Sequence, residues 1–210
     1  MSRIPTPVST PLSTPVQIPA HPLQGNHPDP ASCQMARKVH SSYAELIARM
    51  EFNPSSHEQR AGLSIYYNSN NWAFLHMTQV GGLGRCLKLS CCDHGRMLDI
   101  PTMLQVPGTA AVHLGVRFAY GYLQFYVSME GLTWRPFGDP LKDSVLSAAT
   151  GTFVMLCSQE GGTATPARFV LRSDQEYRAP ENLRGAQMFM LQAFPFVRSK
   201  AHHAGQWLPR

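Results

Sequence analysis

Acidic side chains are the first residues to test for chemistry. Hydrolysis of a glycosidic bond by the usual route needs two placed carboxylates, one to protonate the leaving oxygen and one to activate water or attack. The chain has 13 Asp and Glu residues, among them Glu45, Glu51, Asp93, Asp99, Glu130, Asp139 and Asp143. Most of these fall at solvent-facing strand positions or in turns, where carboxylates commonly serve backbone geometry. No pair stands out, so no catalytic residue is assigned. No Gly-x-Ser-x-Gly elbow is present either. His202-His203 is the one adjacent His pair; two tail residues do not make the three or four convergent ligands of a metal site. Gly81-Gly82-Leu83-Gly84 joins two expected strands and opens no helix, which removes the context for phosphate binding. Neither metal nor cofactor is expected. Aromatic contact with a sugar face is the remaining chemistry: Tyr66, Tyr67, Trp72, Tyr126 and Trp134 are the carbohydrate-contact candidates, with Tyr122 of the same type. Strand side chains alternate, so about half of such a set must point into a core.

Composition narrows the function classes. With 43% hydrophobic and 15% charged residues, the 210-residue chain can bury one domain-sized core. Its net charge of +5 is scattered: Arg85, Lys88, Arg96, Arg117, Arg135 and Lys142 are interleaved with apolar positions, and no basic run or recognition motif points to nucleic acid. The five cysteines, Cys33, Cys86, Cys91, Cys92 and Cys157, have no repeated spacing. Buried free thiols are the expectation, and the adjacent Cys91-Cys92 should point to opposite faces of a strand. The N-terminus lacks the apolar run of a secretory signal, and no stretch approaches the roughly 18 apolar residues of a membrane span. No membrane partner is expected, and the localisation follows as cytoplasmic by default.

Three segments emerge along the chain. Residues 1–30 are rich in Pro, Ser and Thr and are expected to form a disordered leader, because few large apolar groups offset chain entropy there. Residues 31–177 show period-two patterning. Leu46, Ala48, Met50 and Phe52 share one face; Leu63, Ile65 and Tyr67 share another; Val112, Leu114, Val116 and Phe118 alternate cleanly, as do Leu123, Phe125, Val127 and Met129. Asn68-Ser69-Asn70-Asn71, Asp93-His94-Gly95, Tyr120-Gly121 and Glu130-Gly131 supply hairpin turns. About ten short strands with little helix between them describe an all-β sandwich or barrel, with an antiparallel sandwich of jelly-roll or lectin-like type favoured. Residues 178–210 read as an irregular tail with a short helix around 181–193.

Several of these segments together resemble a known family. Met50-Glu51-Phe52-Asn53-Pro54-Ser55-Ser56, then Ala61 to Asn68, then Asn71-Trp72 are similar to the accessory domain of family 43 glycoside hydrolases. Leu123-Gln124-Phe125-Tyr126-Val127-Ser128 with Gly131 and Trp134 resembles that family's "LQFxYSxDGxxW" segment. Thr150 to Val154 with Cys157-Ser158-Gln159 resembles its "FTGAFVGxxCQD" segment. The similarity runs from about Ala31 to Leu171 and implies a C-terminal concanavalin-A-like sandwich. In the β-xylosidases and α-arabinofuranosidases of that family, such a sandwich follows a five-bladed propeller that holds the catalytic carboxylates. The chain also departs from the pattern: Leu146-Ser147-Ala148-Ala149 lacks the Phe that precedes the family's Thr-Gly, and Ala167 to Leu171 lacks the acidic positions of its "ADFDYF".

The resemblance implies a non-catalytic accessory module, packed on a glycosidase catalytic domain or weakly binding a xylan-type oligosaccharide. A fragment of an active β-xylosidase or α-arabinofuranosidase and a protein-interaction module are the alternatives. A sandwich that once covered a propeller should also keep a broad exposed apolar face.

Overall fold

The computed structural model describes residues 15–18, 21–22, 35–39, 43–98, 100–119, 121–142, 151–160 and 166–172. Most of the 1–30 leader, the 178–210 tail, Cys33, Asp99, Tyr120, Asp143 and the 146–149 segment lie outside them. Fourteen strands are formed among the described residues, the long ones from alternating apolar runs punctuated by Gly, Asn and Pro. In chain order they are β1 (Val16–Ile18), β2 (His21–Pro22), β3 (Met35–Lys38), β4 (Ala44–Glu51), β5 (Arg60–Asn68), β6 (Asn71–Val80) and β7 (Gly84–Asp93). They continue with β8 (Arg96–Leu98), β9 (Met103–Gln105), β10 (Val112–Ala119), β11 (Tyr122–Ser128), β12 (Arg135–Lys142), β13 (Phe153–Glu160) and β14 (Ala167–Arg172).

These strands form two sheets. The six-stranded sheet has the order β1-β14-β4-β10-β11-β12; the eight-stranded sheet runs β2-β13-β5-β6-β7-β8, with β3 also on β13 and β9 also on β7. Pairing is antiparallel except where β2 meets β13. Two segments of the leader expected to lack structure are therefore strands. Val16-Gln17-Ile18 pairs with Phe169 to Ala167, and Ile18 is buried in the core. A three-residue run with two β-branched side chains suffices at a sheet edge, where one partner supplies the hydrogen bonds. β1, β2, β3 and β9 span two to four residues each, too few to reveal a period of two.

The long strands of both sheets send alternate side chains into one inter-sheet core. Met50, Leu114 and Phe125 come from the six-stranded sheet, and Leu63, Leu75 and Leu87 from the other; all are essentially inaccessible to solvent. The opposite side of the eight-stranded sheet holds a second buried cluster of Trp72, Phe74, Cys92, Met155 and Cys157. The outer strand β12 carries Pro136 and Pro140, which withhold backbone donors from a sheet edge open to further pairing.

Arg85 fastens the two sheets at one end. It lies on β7 and is buried, yet its guanidinium meets carbonyl oxygens and no carboxylate in the described contacts. Nη2 donates to Phe52 O at 2.9 Å and to Ala110 O at 3.0 Å, and Nη1 donates to Gly108 O. Phe52 ends the β4 side of the Asn53-Pro54 corner, and residues 108–110 lead into β10, so one cation on the eight-stranded sheet ties down two entries to the six-stranded one. Burial pulls the guanidinium pKa down from its ordinary value, but an arginine stays charged at any ordinary pH. Arg85→Met should lower unfolding stability by about 3 kcal/mol, because it strands these carbonyls. Arg85→Lys should recover only part of the loss, since an ammonium cannot span all three. Urea denaturation measures both, and an unchanged midpoint for Arg85→Met would contradict the clip.

His76 sits on the outward side of β6, fully enclosed. Its ring centroid is 4.8 Å from that of Phe74, and Nδ1 lies 3.1 Å from Phe74 O. Burial pushes its pKa down to about 3; the Phe74 carbonyl opposes this, and the positive charges of Arg60 and Lys88 add to it. An unfolded His titrates near 6.5, so between pH 6.5 and about 3 the unfolded chain binds a proton that the folded one refuses. Stability therefore falls as pH drops through that window and is unaffected by this group above it. His76→Gln should show a shallower loss of stability between pH 6 and 4 than the unmodified chain; equal slopes in paired denaturation series would rule the effect out.

Candidate functional site

The five aromatic candidates do not converge. Tyr66 and Trp72 are cross-strand partners on the outward side of the eight-stranded sheet. Tyr126 lies between the core residues Phe125 and Val127 and so points out from the six-stranded sheet on the far side of the sandwich, and Trp134 lies over that same face. Tyr67 is half-buried beside the irregularity where the β5–β6 register shifts between Tyr66 and Asn68.

Trp72, 2% exposed, donates from Nε1 to Ser69 O at 3.2 Å, so its one polar atom is already satisfied within the hairpin. The same turn is braced by asparagines. Asn68 Oδ1 accepts from Asn70 N at 2.9 Å and from Asn71 Nδ2 at 3.1 Å. Asn71 Oδ1 accepts from His94 N at 3.0 Å, and Asn70 O accepts from Gly95 N at 2.8 Å, which joins the β5–β6 and β7–β8 hairpins. His94 has φ of 50°, a left-handed conformation that His tolerates better than most residues.

On the other face, Tyr126 and Trp134, each 7% exposed, are part of a packed group with Arg117, Glu45 and His113. Register places Arg117 opposite Glu45, Gly115 opposite Tyr126, and His113 opposite Ser128. Arg117 Nη2 donates to Glu45 Oε1 at 3.2 Å, and the guanidinium carbon lies 6.0 Å from the Tyr126 ring centroid. Burial pushes the Glu45 carboxyl pKa up while Arg117 pulls it down; burial likewise raises that of Tyr126. Trp134 meets His113 edge-on, with ring centroids 6.3 Å apart.

The local sequence builds this group. Gly115 leaves room for the indole: a Cβ there would sit 3.2 Å from Trp134 Cζ3. Gly131, at φ 78°, lies against the His113 ring, and its N–H donates to Ser128 Oγ at 2.9 Å. Glu130 Oε1 accepts from Thr133 N at 3.1 Å. Gln124 fills a bulge in the β11–β12 ladder, where Nε2 donates to Phe125 O at 2.9 Å and to Gly138 O at 3.0 Å. Gln124, Ser128 and Glu130 of the Leu123–Trp134 run thus serve backbone geometry. Glu45, Arg117 and His113 were not singled out as site residues by sequence reasoning; they lie on other strands, and only register brings them to Tyr126 and Trp134.

Other charged groups are similarly engaged. Glu51 pairs with Arg49 and, at 3.2 Å, with Arg168, which hold its carboxyl below the usual range. Asp93 Oδ1 lies 2.5 Å from His94 Nδ1. Among the described residues no group of three or more His, Cys, Asp or Glu is arranged to hold a metal ion. Cys86 and Cys91 are free and buried, and Cys92 is buried on the outward side. Burial, with Cys92 and Asp93 adding, pushes the Cys91 thiol up to about 12, which suppresses the reactive thiolate. Cys157 is disulfide-bonded and departs from the expectation of free thiols. The expected broad exposed apolar face is also not found among the described residues. Leu83, Leu98, Met103, Met129 and Leu132 are the large apolar side chains left exposed there, at turns and strand ends, while Trp72, Phe74 and Met155 on the outward face are buried.

Residues 28–171 match the beta-xylosidase C-terminal concanavalin A-like domain. The chain belongs to this family. It is 30% identical over 146 residues to the beta-xylosidase of Bacillus subtilis, a match covering 64% of this chain and 27% of that protein. A xylosidase/arabinosidase 43B of Humicola insolens is 27% identical over 150 residues, 63% of this chain and 28% of that protein. The crystal structure of xylan beta-1,4-xylosidase from Bacillus halodurans superposes with a TM-score of 0.62 at 28% identity, over 65% of this chain and 28% of that one. A family 43 protein from Bacillus licheniformis, 21% identical with a TM-score of 0.58, shares the fold. The match thus spans a little over a quarter of these relatives, and the domain is the accessory C-terminal part of the β-xylosidase family.

The latch around Trp134 has a measurable cost of disruption. Gly131→Ala would place a methyl 2.7 Å from His113 Cε1 at a φ unsuited to L residues. It should destabilise the chain by about 2 kcal/mol and shift Trp134 emission toward the red. Wild-type emission and stability in this variant would show that the latch is not needed.

Proposed function

We propose that this chain is a non-catalytic accessory sandwich that packs on a family 43 glycosidase catalytic domain. The observation that carries the reading is the extent of the match: the homologous region forms 27% of the Bacillus subtilis β-xylosidase and 28% of the Bacillus halodurans structure, so in both it belongs to a much longer chain. The geometry supports the same reading. The aromatic candidates are divided between two faces, and Trp72, Tyr126 and Trp134 are packed into side-chain clusters without an open ring face for a sugar to stack on.

Contact with xylan-type oligosaccharide is the second reading, favoured by Tyr66 and Tyr67, which keep partial exposure close to the asparagine-rich turn 68–71. Two experiments separate the readings. Mixing the chain with a family 43 catalytic domain expressed without its own sandwich should give a one-to-one complex by size-exclusion chromatography and raise the catalytic domain's unfolding temperature. Titration with xylo-oligosaccharides should leave tyrosine and tryptophan fluorescence unchanged. Saturable quenching that disappears in Tyr66→Ala and Tyr67→Ala, with no complex in the first experiment, would overturn packing in favour of sugar contact.

A further inference from the structure

We draw no further inference here: the strongest candidate, the exposed apolar tip of the β11–β12 hairpin formed by Met129 and by Leu132 at 83% exposure above the Gly131–Trp134 latch, carries nothing because nothing in the structure shows what covers it.

Discussion

Apolar side chains from both sheets meet in a single layer, and a period of two decides which residues are left to do anything else. Phe125 and Val127 must point inward for the six-stranded sheet to close on the eight-stranded one, so Tyr126 must point outward. Ala73, Leu75 and Met77 hold the same position on β6, which turns Trp72, Phe74 and His76 to the other side. A slip of one residue in either register would exchange the two sets and destroy the core. The outward residues are consequently fixed in direction by the burial of their inward neighbours, and Trp72, Phe74 and His76 are buried in turn on the other face. Arg85 complements this constraint at one end, where it replaces water as the donor to carbonyls that the closing corner takes out of solvent.

The motif that marks the family acquires a physical meaning from this arrangement. Gln124 repairs a bulge, Ser128 and Glu130 accept turn amides, Gly131 admits a left-handed backbone, and Trp134 closes over Gly115. None of these roles is chemical. Together they hold a hairpin and its neighbouring strand in one conformation, as an accessory domain needs when its work is to present a rigid surface. The engaged carboxylates fit the same picture: Glu45 and Glu51 serve cross-strand ion pairs, and Glu130 serves a turn.

Much of the fold was legible because strong local patterns agreed with it. Val112 to Phe118 alternates without interruption, Asn68 to Asn71 offers turn residues where the chain reverses, and β10 and β11 pair in direct register, Ala119 opposite Tyr122. The short strands were not legible, since Val16-Gln17-Ile18 and Met103-Leu104-Gln105 gain their structure from an existing sheet edge. The candidate site was read only by residue type. Trp72 and Trp134 looked equally suited to stacking, and sequence did not reveal that they pack on opposite sides of the sandwich. Arg117 and Glu45, 72 positions apart, become partners through β10–β4 register alone. Arg85 read as one more scattered cation among apolar positions, because a buried arginine satisfied by distant carbonyls leaves no local trace.

On the proposed reading this domain contributes position and surface, and hydrolysis falls to a different part of the much longer relatives. Hydrolysis of aryl-β-xyloside and aryl-α-arabinofuranoside by the purified chain tests this most directly. Release of the aryl group should be no faster than in buffer across pH 4 to 8. Turnover that saturates with substrate and is lost in Glu45→Gln or Asp139→Asn would contradict it and place a working carboxylate on the sandwich itself.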